Sequence, residues 1–147
     1  MNTSRILKVF IVVCWFIAAV PSASFCQTGH ILNVRLLDAR SGKPLKHLRL
    51  WLGWYKGPQL PNVETNDAGI AAFHVPDPLP GGRPRISSPF IAFCSDWEVL
   101  IDQVSAKGAV GENNCGKARF SGNPKPGELV IFARRLNVFQ RIWNLLD

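Results

Sequence analysis

Three groups of residues in this chain have the types and spacing for chemistry. The histidines are His30, His47 and His74, and two of them with Asp67 or Asp77 would make a minimal metal site. They are dispersed, though, and His47 and His74 fall on outward positions of alternating segments, so they read as surface residues and no metal is expected. Asp96, Glu98 and Asp102 form the second group. Asp96 and Glu98 share a face at period two, and paired carboxylates are what glycoside hydrolysis uses. Nothing around them would set their pKa values apart, so a solvated face is the expectation. There is no G-x-S-x-G elbow, no H-E-x-x-H, no P-loop and no G-x-G-x-x-G. The reading is of a protein that is not an enzyme, with no catalytic residue and no cofactor.

The third group is aromatic. Trp51, Trp54 and Tyr55 lie at the end of one alternating segment, beside Arg49 and Lys56. Trp51 is out of phase with Leu48, Leu50 and Leu52, so it should point away from the core. Outward rings next to cations can stack on sugars or anchor a protein partner. These five residues are the candidate contact site for a ligand or partner.

The elements that must position them follow from periodicity. His30–Asp38 alternates Leu32, Val34 and Leu36 with polar residues, the pattern of a half-buried strand. A turn at residues 39–44 leads to a second strand at 46–54, as a hairpin or a close crossover. A third strand runs from Gly69 to Val75, after the turn at 65–69. Residues 76–89 hold five prolines and Gly81-Gly82, which predicts a long surface loop. Two short apolar runs follow, 90–94 and 97–101, and 104–107 could form one helical turn. Residues 127–135 are the last strand. The end of the chain, 137–146, has the spacing of a short amphipathic helix capped by Asn137, with Phe139, Ile142 and Trp143 on its apolar face. That face is expected to dock on the edge of the domain; the alternative is peripheral contact with a membrane or a partner. Frequent turns and little helix predict an all-β sandwich.

Composition and charge bound what such a domain can be. The chain has 147 residues, 47% of them apolar, enough for one ordinary domain with one core. Arg5 and Lys8 precede an unbroken apolar run of 12 residues, Val9–Val20, and then Pro21 and small residues. This is the layout of a secretory signal peptide over residues 1–26, and the run is short for a membrane span. Cleavage before Phe25 or before Gln27 fits equally. Acylation of Cys26 as a lipoprotein would want a small residue where Phe25 stands. Removing residues 1–26 leaves 15 Lys and Arg against 10 Asp and Glu, a formal charge of +5. That favours anionic envelope polymers or lipid headgroups. The cations are scattered, with Arg134-Arg135 the only adjacent pair, so no nucleic-acid footprint is visible.

Export also decides the cysteines. Of Cys14, Cys26, Cys94 and Cys115, the first leaves with the signal, and so does Cys26 if cleavage precedes Gln27. Cys94 and Cys115 should then pair in a secreted or periplasmic compartment. There is no C-x-x-C for a redox role and no Cys/His cluster for zinc.

Two segments carry a resemblance. Asp38-x-x-Ser41-Gly42-x-Pro44-Leu45 before an alternating strand, and Thr65-Asn66-Asp67-Ala68-Gly69 running into Phe73, are similar to the first hairpin and the T-[DN]-x-x-G-x-x-x-F turn of carboxypeptidase regulatory-like domains. The match spans about residues 30–76. It implies a transthyretin-like (prealbumin-like) sandwich of about seven strands over residues 27–147. It also implies a domain without an active site, used as a support, spacer or binding module. The functional expectation is an exported, non-catalytic module for binding or structural support at the cell envelope, with an envelope protein or glycan as partner. A carbohydrate-binding module using the outward aromatics is the alternative, and a small hydrolase the remoter one.

Overall fold

The computed structural model describes residues 29–77, 80, 83–96 and 101–146, with the side chains of 101, 102 and 143–146 left aside. The export signal expected at 1–26, with Cys14 and Cys26, lies outside this range, and so do Trp97, Glu98 and the side chains of Asp102 and Trp143. Among the described residues, no helix is long and apolar enough to cross a membrane.

The chain forms an all-β sandwich. Its strands are β1 (Gly29–Asp38), β2 (Arg49–Trp54), β3 (Val63–Glu64), β4 (Ile70–Pro76), β5 (Pro84–Ser87), β6 (Ile91–Phe93), β7 (Ala109–Val110) and β8 (Glu128–Arg135). The described residues also form two short helices, α1 (Ile101–Lys107) and α2 (Val138–Leu146). The larger sheet has the order β4-β1-β8-β6, with β7 also on β8; the smaller is β3-β2-β5. β1 and β8 run parallel, and the β1–β4 and β6–β8 pairs are antiparallel. β1 and β2 belong to different sheets, so the connection between them is a crossover and not a hairpin.

Alternation explains what faces inward. Leu32, Val34 and Leu36 on β1, Leu50, Leu52 and Trp54 on β2, and Ala71, Phe73 and Val75 on β4 meet in one core between the sheets. β8 lies next to β1 and is apolar almost throughout, because both its faces are covered. Leu129, Ile131 and Ala133 join the central core, while Val130 and Phe132 pack on the far side with Leu37, Ala39 and Cys94. Ala118 and Phe120 cover that second cluster. The Cys94–Cys115 disulfide, Cα–Cα 5.3 Å, ties the covering segment down, as the cysteine count predicts.

The turns follow local side-chain chemistry. Asp38 accepts hydrogen bonds from the Ser41 backbone N–H and hydroxyl, both at 2.7 Å. Thr65 is buried; its hydroxyl donates to the Leu45 carbonyl and accepts from the Leu48 N–H. Asn66 Oδ1 accepts from the Ala68 and Ile70 N–H groups, closing the second turn. Gly69 has φ +74°, and a Cβ there would stand 2.6 Å from the Leu36 carbonyl oxygen. The two motif segments therefore pack on each other.

Two expectations are corrected. Within the stretch read as one long loop, residues 84–87 form the edge strand β5, with Pro84 as its first residue, a position where proline withholds no needed ladder bond. In the terminal helix the apolar side chains that are described, Phe139 and Ile142, do not dock on the domain, and that of Trp143 lies outside the described residues. Asn137 and Gln140 cap the helix reciprocally, and the buried Leu136 holds its root to Phe90. Among its described side chains Arg141 reaches the domain, with its guanidinium 5.5 Å from the centre of the Phe90 ring. Phe139 and Ile142 are 77% and 51% exposed.

Candidate functional site

The site is built on the outer face of the smaller sheet. β2 is its central strand, antiparallel to β3 on one side and β5 on the other. Leu50, Leu52 and Trp54 point to the core, which leaves Trp51 and Gly53 on the outer face. The register sets Trp51 opposite Ser87 and Gly53 opposite Arg85.

After β2 the chain folds back over the same strand. The Gly57 N–H donates to the Trp54 carbonyl, the Trp54 N–H to Pro58, and the Leu60 N–H to Leu52 at 2.8 Å. Lys56 sits at the bend with φ 59°, and its ammonium is 5.6 Å from the centre of the Tyr55 ring. Gln59 bridges to Gly53, where a Cβ would stand 3.1 Å from the Gln59 Cγ. Gly53 thus permits the close return of the loop.

Between loop and sheet lies a cleft of about 350 Å³. Trp51, Gly53, Tyr55, Lys56, Gln59, Arg85 and Ser87 line it, and the core residues Leu52 and Trp54 border it. It offers aromatic faces, two cations, an amide and a hydroxyl, and among the described residues no carboxylate or imidazole lines it. Among the described residues, neither Lys56 nor Arg85 forms an ion pair.

The predicted contact residues separate accordingly. Trp51, Tyr55 and Lys56 come together in the cleft. Trp54 is only 7% exposed: it is in phase with Leu50 and Leu52, so it packs in the core and touches the cleft from below. Arg49 lies outside the cleft, opposite Glu64 on β3. Gln59, Arg85 and Ser87 also line the cleft and were not expected there; Arg85 adds the second cation. Its signal was the alternation Arg85-Ile86-Ser87, hidden among prolines and glycines.

The histidines do not converge. His30 pairs with Asp77 at 3.2 Å, and His47 stands between Glu64 at 3.3 Å and Asp67 at 3.6 Å, all at the surface. His74 is exposed on β4. Among the described residues no cluster of three His, Cys, Asp or Glu could hold a metal ion. Asp96 is exposed, and its proposed partners Glu98 and Asp102 lie outside the described side chains.

One carboxylate is held in a structural role. Glu128, 4% exposed, accepts from the Arg35 guanidinium at 2.6 Å and from the Lys125 N–H at 3.0 Å. Burial alone would raise its pKa; the Lys125 N–H and the Arg35 charge outweigh it and hold the carboxyl below its ordinary value.

No protein-family model matches the chain, and no curated protein or solved structure is significantly similar to it.

Proposed function

We propose that this protein is an exported, non-catalytic binding module of the cell envelope, and that its ligand seats in the cleft between β2, β5 and the 55–60 loop. The cleft itself carries the reading. It gathers two of the exposed or half-exposed rings of the smaller sheet, Trp51 and Tyr55, with hydrogen-bonding groups at the rim. This mixture of ring faces and a few placed polar groups is what binding sites use. Its lining supplies no general base for hydrolysis. The Cys94–Cys115 bond is compatible with an oxidising compartment, and residues 1–26 have the form of an export signal. The resemblance to carboxypeptidase regulatory-like domains points the same way.

A glycan ligand is the form of this reading that the cleft favours, because Trp51 and Tyr55 stand beside the amide of Gln59 and the hydroxyl of Ser87. The test is a crosslinked pull-down from the native envelope with the tagged full chain, exported by its own N-terminus. Protein and glycan are both read by mass spectrometry. Glycan retained by the wild type and lost by Trp51→Ala supports the reading. Retention unchanged by Trp51→Ala, or no retention, refutes it.

A further inference from the structure

The cleft is cationic as well as aromatic, and this specifies its ligand. Resting on the binding-module reading, we propose that the site takes an acidic sugar, a pyranose ring bearing a carboxylate.

The geometry divides the ligand into two parts. Trp51 stands on the outer face of β2 next to Gly53, whose missing side chain lets Gln59 and Pro58 of the returning loop close in beside the indole. A ring ligand can lie against the indole within the cavity that this loop walls, since an amphipathic aromatic surface suits a partner with one apolar face and a polar edge. Arg85 faces Gly53 directly across the β2–β5 pair. Lys56 lies at the bend of the returning loop, and both side chains border the same cavity. Neither is neutralised by a carboxylate among the described residues. A planar guanidinium pairs with a carboxylate through two parallel hydrogen bonds, and the ammonium adds a point charge. Gln59 and Ser87 remain for ring hydroxyls.

Size and surroundings agree. About 350 Å³ is at the lower end of small-molecule sites, roughly 300–1,000 Å³. The nearest acidic position in the register, Glu64, faces Arg49 on the other side of β2, outside the cleft. A neutral sugar would leave the two cations unanswered. A plain anion would leave the Trp51 face unused.

The test is titration calorimetry on the full chain purified after export. The probes are tetragalacturonate, its uncharged galactose counterpart, galacturonic acid and tetrapolyphosphate. Tetragalacturonate is expected to bind at least tenfold more tightly than the neutral tetramer. The gap should narrow as salt screens the charges. Arg85→Gln and Trp51→Ala should each weaken tetragalacturonate binding about tenfold. Arg85 is exposed, so its variant tests the proposal even if Trp51→Ala lowers stability. Galacturonic acid that binds as well as the tetramer identifies a free acidic sugar as the source; a tetramer preference identifies a polymer. Both support an acidic sugar. Equal binding of the neutral tetramer, equal binding of tetrapolyphosphate, or no tetragalacturonate binding overturns it. If the envelope pull-down still depends on Trp51 in that case, the module reading stands and only the acidic ligand is lost.

Discussion

Gly53 and Arg85 face each other across the β2–β5 pair, on the outer face of the smaller sheet. The first lets the 55–60 loop close in against β2, and the second sets a guanidinium on the facing strand. This relationship makes a cleft where most sandwich strands would present a continuous row of side chains.

Gly53→Ala should therefore act on the site more than on the fold. The new methyl group would press on Gln59 Cγ at 3.1 Å and on the Pro58 carbonyl oxygen at 3.3 Å. The loop must give by a few tenths of an ångström. Ligand retention should fall, while the urea midpoint shifts by the equivalent of about 1 kcal/mol. Unchanged retention would show that the ligand does not depend on the close return of the loop.

Glu128 predicts an acid limb of stability. Its folded pKa is lowered, so its contribution is complete above the ordinary carboxylate pKa and is lost as pH falls through the lowered value. Urea midpoints measured from pH 6 to pH 3 should fall for the wild type. Glu128→Gln should be destabilised at pH 6, by about 3 kcal/mol because Arg35 is left without its partner, and should show a shallower fall.

Thr65 links the turn at 65–69 to the Leu45–Leu48 segment. Thr65→Val keeps the volume but strands the Leu48 N–H and the Leu45 carbonyl in a buried place. A loss of about 2 kcal/mol in chemical denaturation is expected. Thr65→Ser should recover most of it.

Reduction of Cys94–Cys115, or Cys94→Ser with Cys115→Ser, should lower stability by about 3 kcal/mol on the chain-entropy account. Hydrogen exchange should rise first at Asn114 and Gly111, whose N–H groups bond to Cys94 and Val130 beneath the covering segment.

The exposed face of α2 makes the opposite prediction. Phe139→Ser and Ile142→Ser should leave the melting temperature nearly unchanged, within the effect of about 0.5 kcal/mol typical of surface positions. A large drop would mean that the helix packs its apolar face on the domain after all.

Much of the fold was legible because local and global patterns agree. β1 and β4 alternate cleanly, and β8 reads as a continuous apolar run because both its faces are covered. Asp38, Thr65 and Asn66 write their turns through side-chain hydrogen bonds only a few residues long, or through one buried hydroxyl. β5 was illegible: four residues are too few for a period, and Pro84 resembles a strand breaker until it is seen at the first position of an edge strand. Of the site, Trp51, Tyr55 and Lys56 were visible through phase and proximity. Trp54 was grouped with them by proximity although its phase with Leu50 and Leu52 sends it to the core. Arg85 was invisible because its place depends on a pairing 32 residues away in sequence, Gly53 to Arg85. The apolar face of α2 was correctly periodic, but periodicity does not say whether a face finds a surface to cover.

The most direct test of the proposed cleft is co-sedimentation of the full chain, with its disulfide formed, with an insoluble acidic polysaccharide. Wild type is compared with Arg85→Gln and Trp51→Ala under conditions where all three are folded. Wild type should pellet with the polysaccharide, and both variants should stay largely in the supernatant. Equal pelleting of all three would contradict the proposed site, since binding would then owe nothing to the cleft.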